Sequence, residues 1–450
     1  MFPSLTNYLS GSISNLFRKH LFLPATFRKK KAQEFSIGVY GFFDGLIPTR
    51  LETIIVVIFV VLTGLFSALH IHHVKDNPQY ATKNAELGHL IADRTGILGT
   101  FLIPLLILFG GRNNFLQWLT GWDFATFIIR KCYEVFFLIH IVLVVFFVVG
   151  GYYHLESQGY GDFMWAAIAV WAFDRVVRLG RIFFFGARKA TVSIKGDDTL
   201  KIEVPKPKYW KSVAGGHAFI HFLKPTLFLQ SHPFTFTTTE SNDKIVLYAK
   251  IKNGITSNIA KYLSPLPGNT ATIRVLVEGP YGEPSSAGRN CKNVVFVAGV
   301  MVFQNQSIKL IWIIRHWKSL SWFTEELEYL KKTNVQSTIY VTQPQDCSGL
   351  ECFEHDVSFE KKSDEKDSVE SSQYSLISNI KQGLSHVEFI EGRPDISTQV
   401  EQEVKQADGA IGFVTCGHPA MVDELRFAVT QNLNVSKHRV EYHEQLQTWA

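Results

Sequence analysis

Residues 140–154 read HIVLVVFFVVGGYYH, with an imidazole at each end and no charged side chain between them. So apolar a run reads as a helix in lipid, and at about 100° per residue its two histidines fall within roughly 40° of each other, about 21 Å apart along the axis. One face carries both. A hydrocarbon core of about 30 Å would hold them at two depths, which suits a pair of stacked, histidine-held cofactors. On spacing alone the alternative stays open: His154 as an interfacial residue beside Tyr152 and Tyr153, and His140 as a polar group facing another helix.

The surrounding composition agrees with a membrane setting. Of 450 residues, 46% are hydrophobic, 36 are Phe and only 19% are charged, with the apolar excess in the first 190. Three further stretches resemble spans: 51–69 (LETIIVVIFVVLTGLFSAL), 95–111, which is marginal in length, and 163–185, which turns basic as it exits. Arg18, Lys19, Arg28, Lys29, Lys30, Lys31 and Arg50 precede the first span, and Arg175, Arg178, Arg181, Arg188 and Lys189 lie in or after the last. Both ends are therefore expected in the cytosol, with four spans between them. No signal-peptide run opens the chain, so the first span is expected to direct insertion.

The net charge of +5 is mostly juxtamembrane Lys and Arg, which implies contact with anionic lipid rather than nucleic acid. Five cysteines, an odd number mostly in the cytosolic part, imply reduced thiols. No finger-like spacing accompanies Cys347 and Cys352, so zinc is not expected.

From Ala190 the pattern changes to short alternating strands with polar turns, the rhythm of a small antiparallel barrel up to about Gly282. Beyond it, VVFVAG, IKLIWIIRH, STIYVTQ, HVEFIEG and AIGFVTCG alternate with helical stretches, as in a parallel α/β nucleotide-binding sheet. Residues 345–385, rich in Ser, Asp, Glu and Lys, read as a disordered insertion.

Three motifs carry chemistry. HPFTFT (232–237) follows a strand and offers backbone and hydroxyl donors to a flavin, although a Pro-anchored hairpin explains it as well. KNGITSNI supplies Lys252, Gly254 and Thr256: a cation, a flexible turn and a hydroxyl suited to phosphate or nicotinamide. VTCGHPAMVDELR empties a strand into a helix, placing Cys416 and Gly417 where α/β sheets bind ligands. A buried structural thiol is the plainer account of Cys416.

In order, HPFT, EGPYG (278–282), CGHP and a terminal EYHEQLQTWA resemble one family, the fungal ferric-chelate (ferric/cupric) reductases, within the group that includes the NADPH oxidases. The resemblance runs over about residues 38–450. It implies a multi-domain membrane protein: an α-helical transmembrane domain with two b-type haems, a ferredoxin-reductase-like antiparallel β-barrel for FAD, and an α/β domain for NADPH. The expected divisions are a cytosolic segment 1–50, the membrane domain 51–188, the barrel 189–284 and the nucleotide domain 285–450. Electrons would pass from NADPH through FAD and both haems to ferric or cupric chelates outside, in iron or copper uptake. By the same resemblance His140 and His154 are haem ligands, while His232, Pro233, Phe234 and Thr235 hold FAD. Lys252, Gly254 and Thr256 serve flavin or nicotinamide, Cys416 and Gly417 lie near hydride transfer, and Trp449 stacks on the flavin. Gly299 belongs to the pyrophosphate turn, and Arg315 and Lys318, in IRHWKSLSWF, are placed to read the NADP 2′-phosphate. The expected surroundings are lipid, the plasma membrane before the vacuolar one, with homologous reductase subunits as partners.

Two departures stand out. A bis-histidine haem needs partner imidazoles on a facing helix, which the family supplies after a segment like GWDFATFII. Here GWDFATFII (121–129) runs straight into RKCYEVFF, and both histidines are missing. His70, His72, His73 and His89 cluster near the first outside loop and cannot serve both depths. After VVFVAG a glycine-rich turn and helix are expected to take the pyrophosphate, but the chain reads AGVMVFQNQSIKL and keeps only Gly299. Such losses suggest spurious introns or a decayed allele. Weak transmembrane electron transfer with surviving FAD binding is the expectation; the alternatives are a superoxide-producing oxidase and a non-catalytic truncated membrane protein.

Overall fold

The computed structural model describes residues 11–27, 30–33, 35–37, 43–45, 47–75, 77–111, 133–195, 199–212, 216–225, 227, 230–239, 241–252, 254–282, 291–297, 307–345 and 377–444. The chain divides into two compact units, 1–3 with 25–180, and 4–24 with 181–450.

First in the chain comes α1 (Gly11–Phe17), which runs into a π-helical turn at Arg18–Phe22 and belongs to the second unit. The first unit opens with a hairpin of β1 (Phe35–Ile37) and β2 (Phe43–Gly45). Helix α2 (Arg50–Ala68) starts at a reciprocal cap: Glu52 N–H donates to Thr49 Oγ1 at 3.3 Å, and Thr49 N–H donates to Glu52 Oε2 at 2.7 Å. Thr82 caps α3 (Lys83–Gly110) through Ala85 N–H at 3.2 Å, so this helix begins well before residue 95, where apolar pattern alone would start it. Next come α4 (Tyr133–Ser157) and α5 (Gly161–Phe185). Among the described residues, Arg50–Ala68, Lys83–Leu108 and His140–Ser157 are long and apolar enough to cross a membrane. The fourth expected span, α5, is as long but carries Asp174, Arg175 and Arg178 in its second half, with Arg178 Nη2 paired to Asp174 Oδ2 at 2.7 Å.

The second unit begins with a closed six-stranded antiparallel barrel. Its strands are β3 (Arg188–Lys195), β4 (Thr199–Pro205), β5 (His217–Phe222), β6 (His232–Thr238), β7 (Lys244–Lys250) and β8 (Thr270–Tyr281), in the order β3-β4-β7-β6-β5-β8. Alternation drives Leu200, Ile202 and Val204 of β4 and Ile245 and Leu247 of β7 inward. Helix α6 (Ile255–Leu263), between β7 and β8, adds Ile255, Ile259 and Leu263, one face at a spacing of four, to that core. Trp210 packs between the rings of Phe185 and Phe236 and donates its Nε1–H to Gly279 O at 3.1 Å.

Beyond the barrel lies an all-parallel sheet of β9 (Asn293–Val297), β10 (Ser307–Ile314), β11 (Val335–Val341), β12 (Val387–Glu391), β13 (Ile411–Thr415) and β14 (Val440–Glu444). The order is β12-β11-β10-β9-β13-β14, reversing at the β9/β13 junction. Helices α7 (Thr324–Leu330), α8 (Ile396–Gln406) and α9 (Pro419–Asn432) accompany it, with buried apolar clusters on both faces. Parallel neighbours ordinarily need a crossover of a dozen or so residues. Only residues 298–306 link β9 to β10, whose register pairs Asn293 with Ser307. These nine residues lie outside the described residues and are fewer than that ordinary crossover length. The predicted insertion also ends early: Ile380 and Leu384 lie in the core under the sheet, so the last part of 345–385 is structured, while 346–376 fall outside the described residues.

Residues 1–50, expected as a separate segment, instead contribute 4–24 to this unit. Asn15 is buried and clasps the β14 edge: its Nδ2 donates to Leu433 O and His438 O at 3.1 Å, and its Oδ1 accepts from Val440 N–H at 3.2 Å. Arg18 donates to Val440 O at 2.6 Å and lies 3.7 Å from Glu441. Burial pushes the Glu441 carboxyl up, but His443, Arg18 and Arg439 outweigh it and hold the pKa at about 2.

Candidate cofactor site

Strand pairing brings the barrel motifs together. β6 is antiparallel to β7, with Phe236 opposite Leu247, so His232 begins β6 near the end of β7, from which the chain turns through Lys252 and Gly254 into α6. On the other side of β6, Thr235 pairs with His217, which pairs with Tyr281 of β8. Thr235, His217 and Tyr281 thus share one row across three strands. The His217 and Tyr281 rings stack at 5.7 Å, and the Arg181 guanidinium lies 4.3 Å over Tyr281 while donating to Pro280 O at 2.9 Å. His232, Pro233, Phe234 and Thr235 are half-buried, with Phe234 packed against the barrel core.

The turn into α6 has its own logic. Gly254 adopts φ +105°, a conformation that L side chains resist, and no side chain caps the helix start. Thr256 is buried and its hydroxyl is engaged locally, accepting from Lys252 N–H at 2.9 Å and donating to Lys252 O at 3.0 Å. It therefore builds the turn, while the exposed Lys252 supplies the charge. Lys252 lies beyond the end of β7 that faces the start of β6, and Arg181 lies over Tyr281, in the row that runs through His217 to Thr235. That donor set suits the pyrophosphate of a dinucleotide.

In the sheet, Cys416 follows β13 at the point where strand order reverses, and its N–H donates to Val297 O at 3.2 Å, joining the carboxyl ends of β13 and β9. Burial pushes the Cys416 thiol up, so it is a neutral thiol at physiological pH, not a thiolate. His418 caps α9 by accepting from Ala420 N–H at 3.3 Å, and Pro419 opens the helix. Gly417 is the link between strand and helix. Arg315 is exposed and Lys318 half-buried just past the end of β10. Gly299 and Trp449 lie outside the described residues. Sequence reasoning missed Arg181, His217, Tyr281 and Trp210; the last of three arginines in α5 and the Tyr of EGPYG were the available signals.

Comparison with known proteins fits this architecture. Residues 184–285 match an FAD-binding domain family, and residues 288–430 match the ferric reductase NAD binding domain. Ferric/cupric reductase transmembrane component 1 of Candida albicans is 85% identical over an aligned span of 525 residues, covering all of this chain and 69% of the relative. The chain belongs to the ferric reductase family. A probable ferric reductase transmembrane component, also of Candida albicans, is 84% identical and is covered to 78%. Ferric/cupric reductase transmembrane component 2 of Saccharomyces cerevisiae is 29% identical over 99% of this chain and 73% of its own length.

An aligned span of 525 against 450 residues leaves 75 positions of the Candida relative without a counterpart here. Two spans of about 20 residues each plus a crossover helix of about a dozen would account for most of that length. The FAD site fits the residues present. The haem site does not. His140 and His154 are exposed on α4, and between His89 and His140 the sequence contains no histidine, nor does α5. No group of three or more His, Cys, Asp or Glu positioned for a metal occurs among the described residues.

Proposed function

We propose that this membrane oxidoreductase retains the NADPH-oxidising, FAD-binding half of a ferric/cupric-chelate reductase, and that transmembrane delivery of electrons is lost with the facing wall of imidazoles. The observation that supports this reading is the contrast within the chain: a closed barrel that matches an FAD-binding domain family, and an apolar helix bearing His140 and His154 with no histidine in the sequence between His89 and His140 or in α5. Bound FAD supplies the exchange between a two-electron hydride and single electrons. Lys252 and Arg181 neutralise its phosphates, and Thr235 and His232 donate hydrogen bonds along β6. Arg315 and Lys318 select NADPH over NADH by pairing with the 2′-phosphate. Cys416, kept protonated by burial, excludes water and places a neutral donor beside the nicotinamide.

In intact relatives the plasma membrane is the setting we infer, with extracellular ferric or cupric chelates as acceptors. For this chain the test is to purify it in detergent and measure bound flavin, NADPH-dependent dye reduction and haem together. Flavin near one per chain with dye reduction but little haem is the expected outcome. Absence of both flavin and dye reduction would refute the reading. The 75 unmatched positions favour a second reading, a non-catalytic subunit associating with full-length homologues; co-purification with such a homologue in the absence of intrinsic dye reduction would establish it.

A further inference from the structure

The connection between α2 and α3 carries His70-Ile71-His72-His73, a triplet of imidazoles that the electron path does not use. By the distribution of basic residues this connection faces away from the cytosol. Its anchorage is firm at both ends. Arg94 of α3 donates to the carbonyls of Leu69 and, at 3.4 Å, of Phe66, capping the end of α2.

Glu86, almost fully buried in the first turn of α3, is hydrogen-bonded to His73 Nδ1. The same carboxylate accepts from Asn77 Nδ2 at 2.8 Å and from Val74 N–H at 3.3 Å. A carboxylate on Nδ1 fixes the tautomer that leaves the Nε2 lone pair for a metal, the supporting arrangement found behind histidine ligands. His70 and His72 are exposed, and their ring centroids are 6.4 Å apart. Two imidazoles bonded to one ion at about 2.0–2.1 Å reach a centroid separation of about 6.4 Å only when they stand trans across it, so this pair sits at the outer limit and draws closer in any other geometry. His70 holds φ +59°, turning the backbone at the start of the triplet.

We propose that the His70–His73 segment is a docking site for a cupric ion, with His70 and His72 as ligands and His73 as a third, positioned by Glu86. Three neutral nitrogen donors favour copper(II), which stands at the top of the divalent affinity order and prefers imidazole, over the hard ferric ion, which prefers oxygen. The described side chains do not yet converge as a three-ligand set. The ion gathers them, by rotation of the two exposed rings. As an entry point for substrate the site rests on the reductase reading, but its binding chemistry does not.

The experiment uses the full chain in detergent without a histidine tag, titrated with copper(II) sulfate and followed by electron paramagnetic resonance. Near-stoichiometric copper with nitrogen hyperfine structure is expected. His70→Ala/His72→Ala should weaken binding at least roughly tenfold and remove nitrogen couplings, and Glu86→Gln should weaken it roughly tenfold with nitrogen ligation retained. An unchanged affinity and spectrum in the double variant would overturn the proposal. Dye reduction measured on the same samples separates the two readings. Copper binding without dye reduction in the parent chain leaves the site standing and removes the enzyme, whereas intact dye reduction with no copper bound removes the site alone.

Discussion

In the barrel, Leu200, Ile202, Ile245 and Leu247 are wholly enclosed, whereas on α4 Val142 and Phe146 are 61% and 75% exposed. Both regions are rich in the same aliphatic and aromatic side chains, yet they are specified differently. The barrel closes on itself, so each strand finds its apolar partners within about 90 residues of chain. A helix in lipid satisfies its backbone alone and packs on neighbours only where shape and polar groups provide a reason. Removing helices from such a unit leaves the remaining ones intact as helices and strips them of what they jointly held. In the nucleotide sheet, likewise, β9 and β10 still pair, while the sequence that joins them is shorter than an ordinary parallel crossover.

The sharpest way to break this comparison is to restore the missing wall. Reinstating the Candida relative's sequence between positions 129 and 130 should raise haem from well below one per chain towards two, read from the pyridine haemochrome spectrum. Next in size is Leu247→Ala, which should cost about 2–5 kcal/mol through the cavity it opens in the barrel, seen as a lower urea midpoint of flavin release. Acidification comes third. Glu441 has a folded pKa of about 2 against an ordinary 4.5, so its contribution is fully present above about pH 4.5 and is lost as pH falls through 2. At most about 3 kcal/mol is at stake, and Glu441→Gln should flatten the acid limb of a pH–stability profile. Gly254→Ala should cost about 1 kcal/mol and loosen flavin, because φ +105° is strained for alanine. Val142→Ala should stay within about 0.5 kcal/mol in the same assay.

Much of this was legible before the structure. The run from His140 to His154, the alternating strands and the parallel α/β pattern each follow from local periodicity, and the motif order resembled the family to which the chain belongs. What escaped depends on distant partners. The polar Asn15 and Arg18 gave no sign that their acceptors lie on β14, more than 400 residues away. Thr256 seemed a ligand donor because a hydroxyl after glycine suits phosphate, but its proximity to Lys252 satisfies it locally. Residues 83–94 of α3 were overlooked since charged side chains hid a helix whose start Thr82 nevertheless announces. Arg181 looked like a topological charge and is held against Tyr281.

The Asn15 clasp sets a schedule during synthesis. Its seat is built from Leu433, His438 and Val440, so a segment made early must wait for one made more than 400 residues later. Until β14 has been synthesised, Asn15 has nowhere to dock. A nascent chain arrested before Val440 would therefore leave α1 undocked.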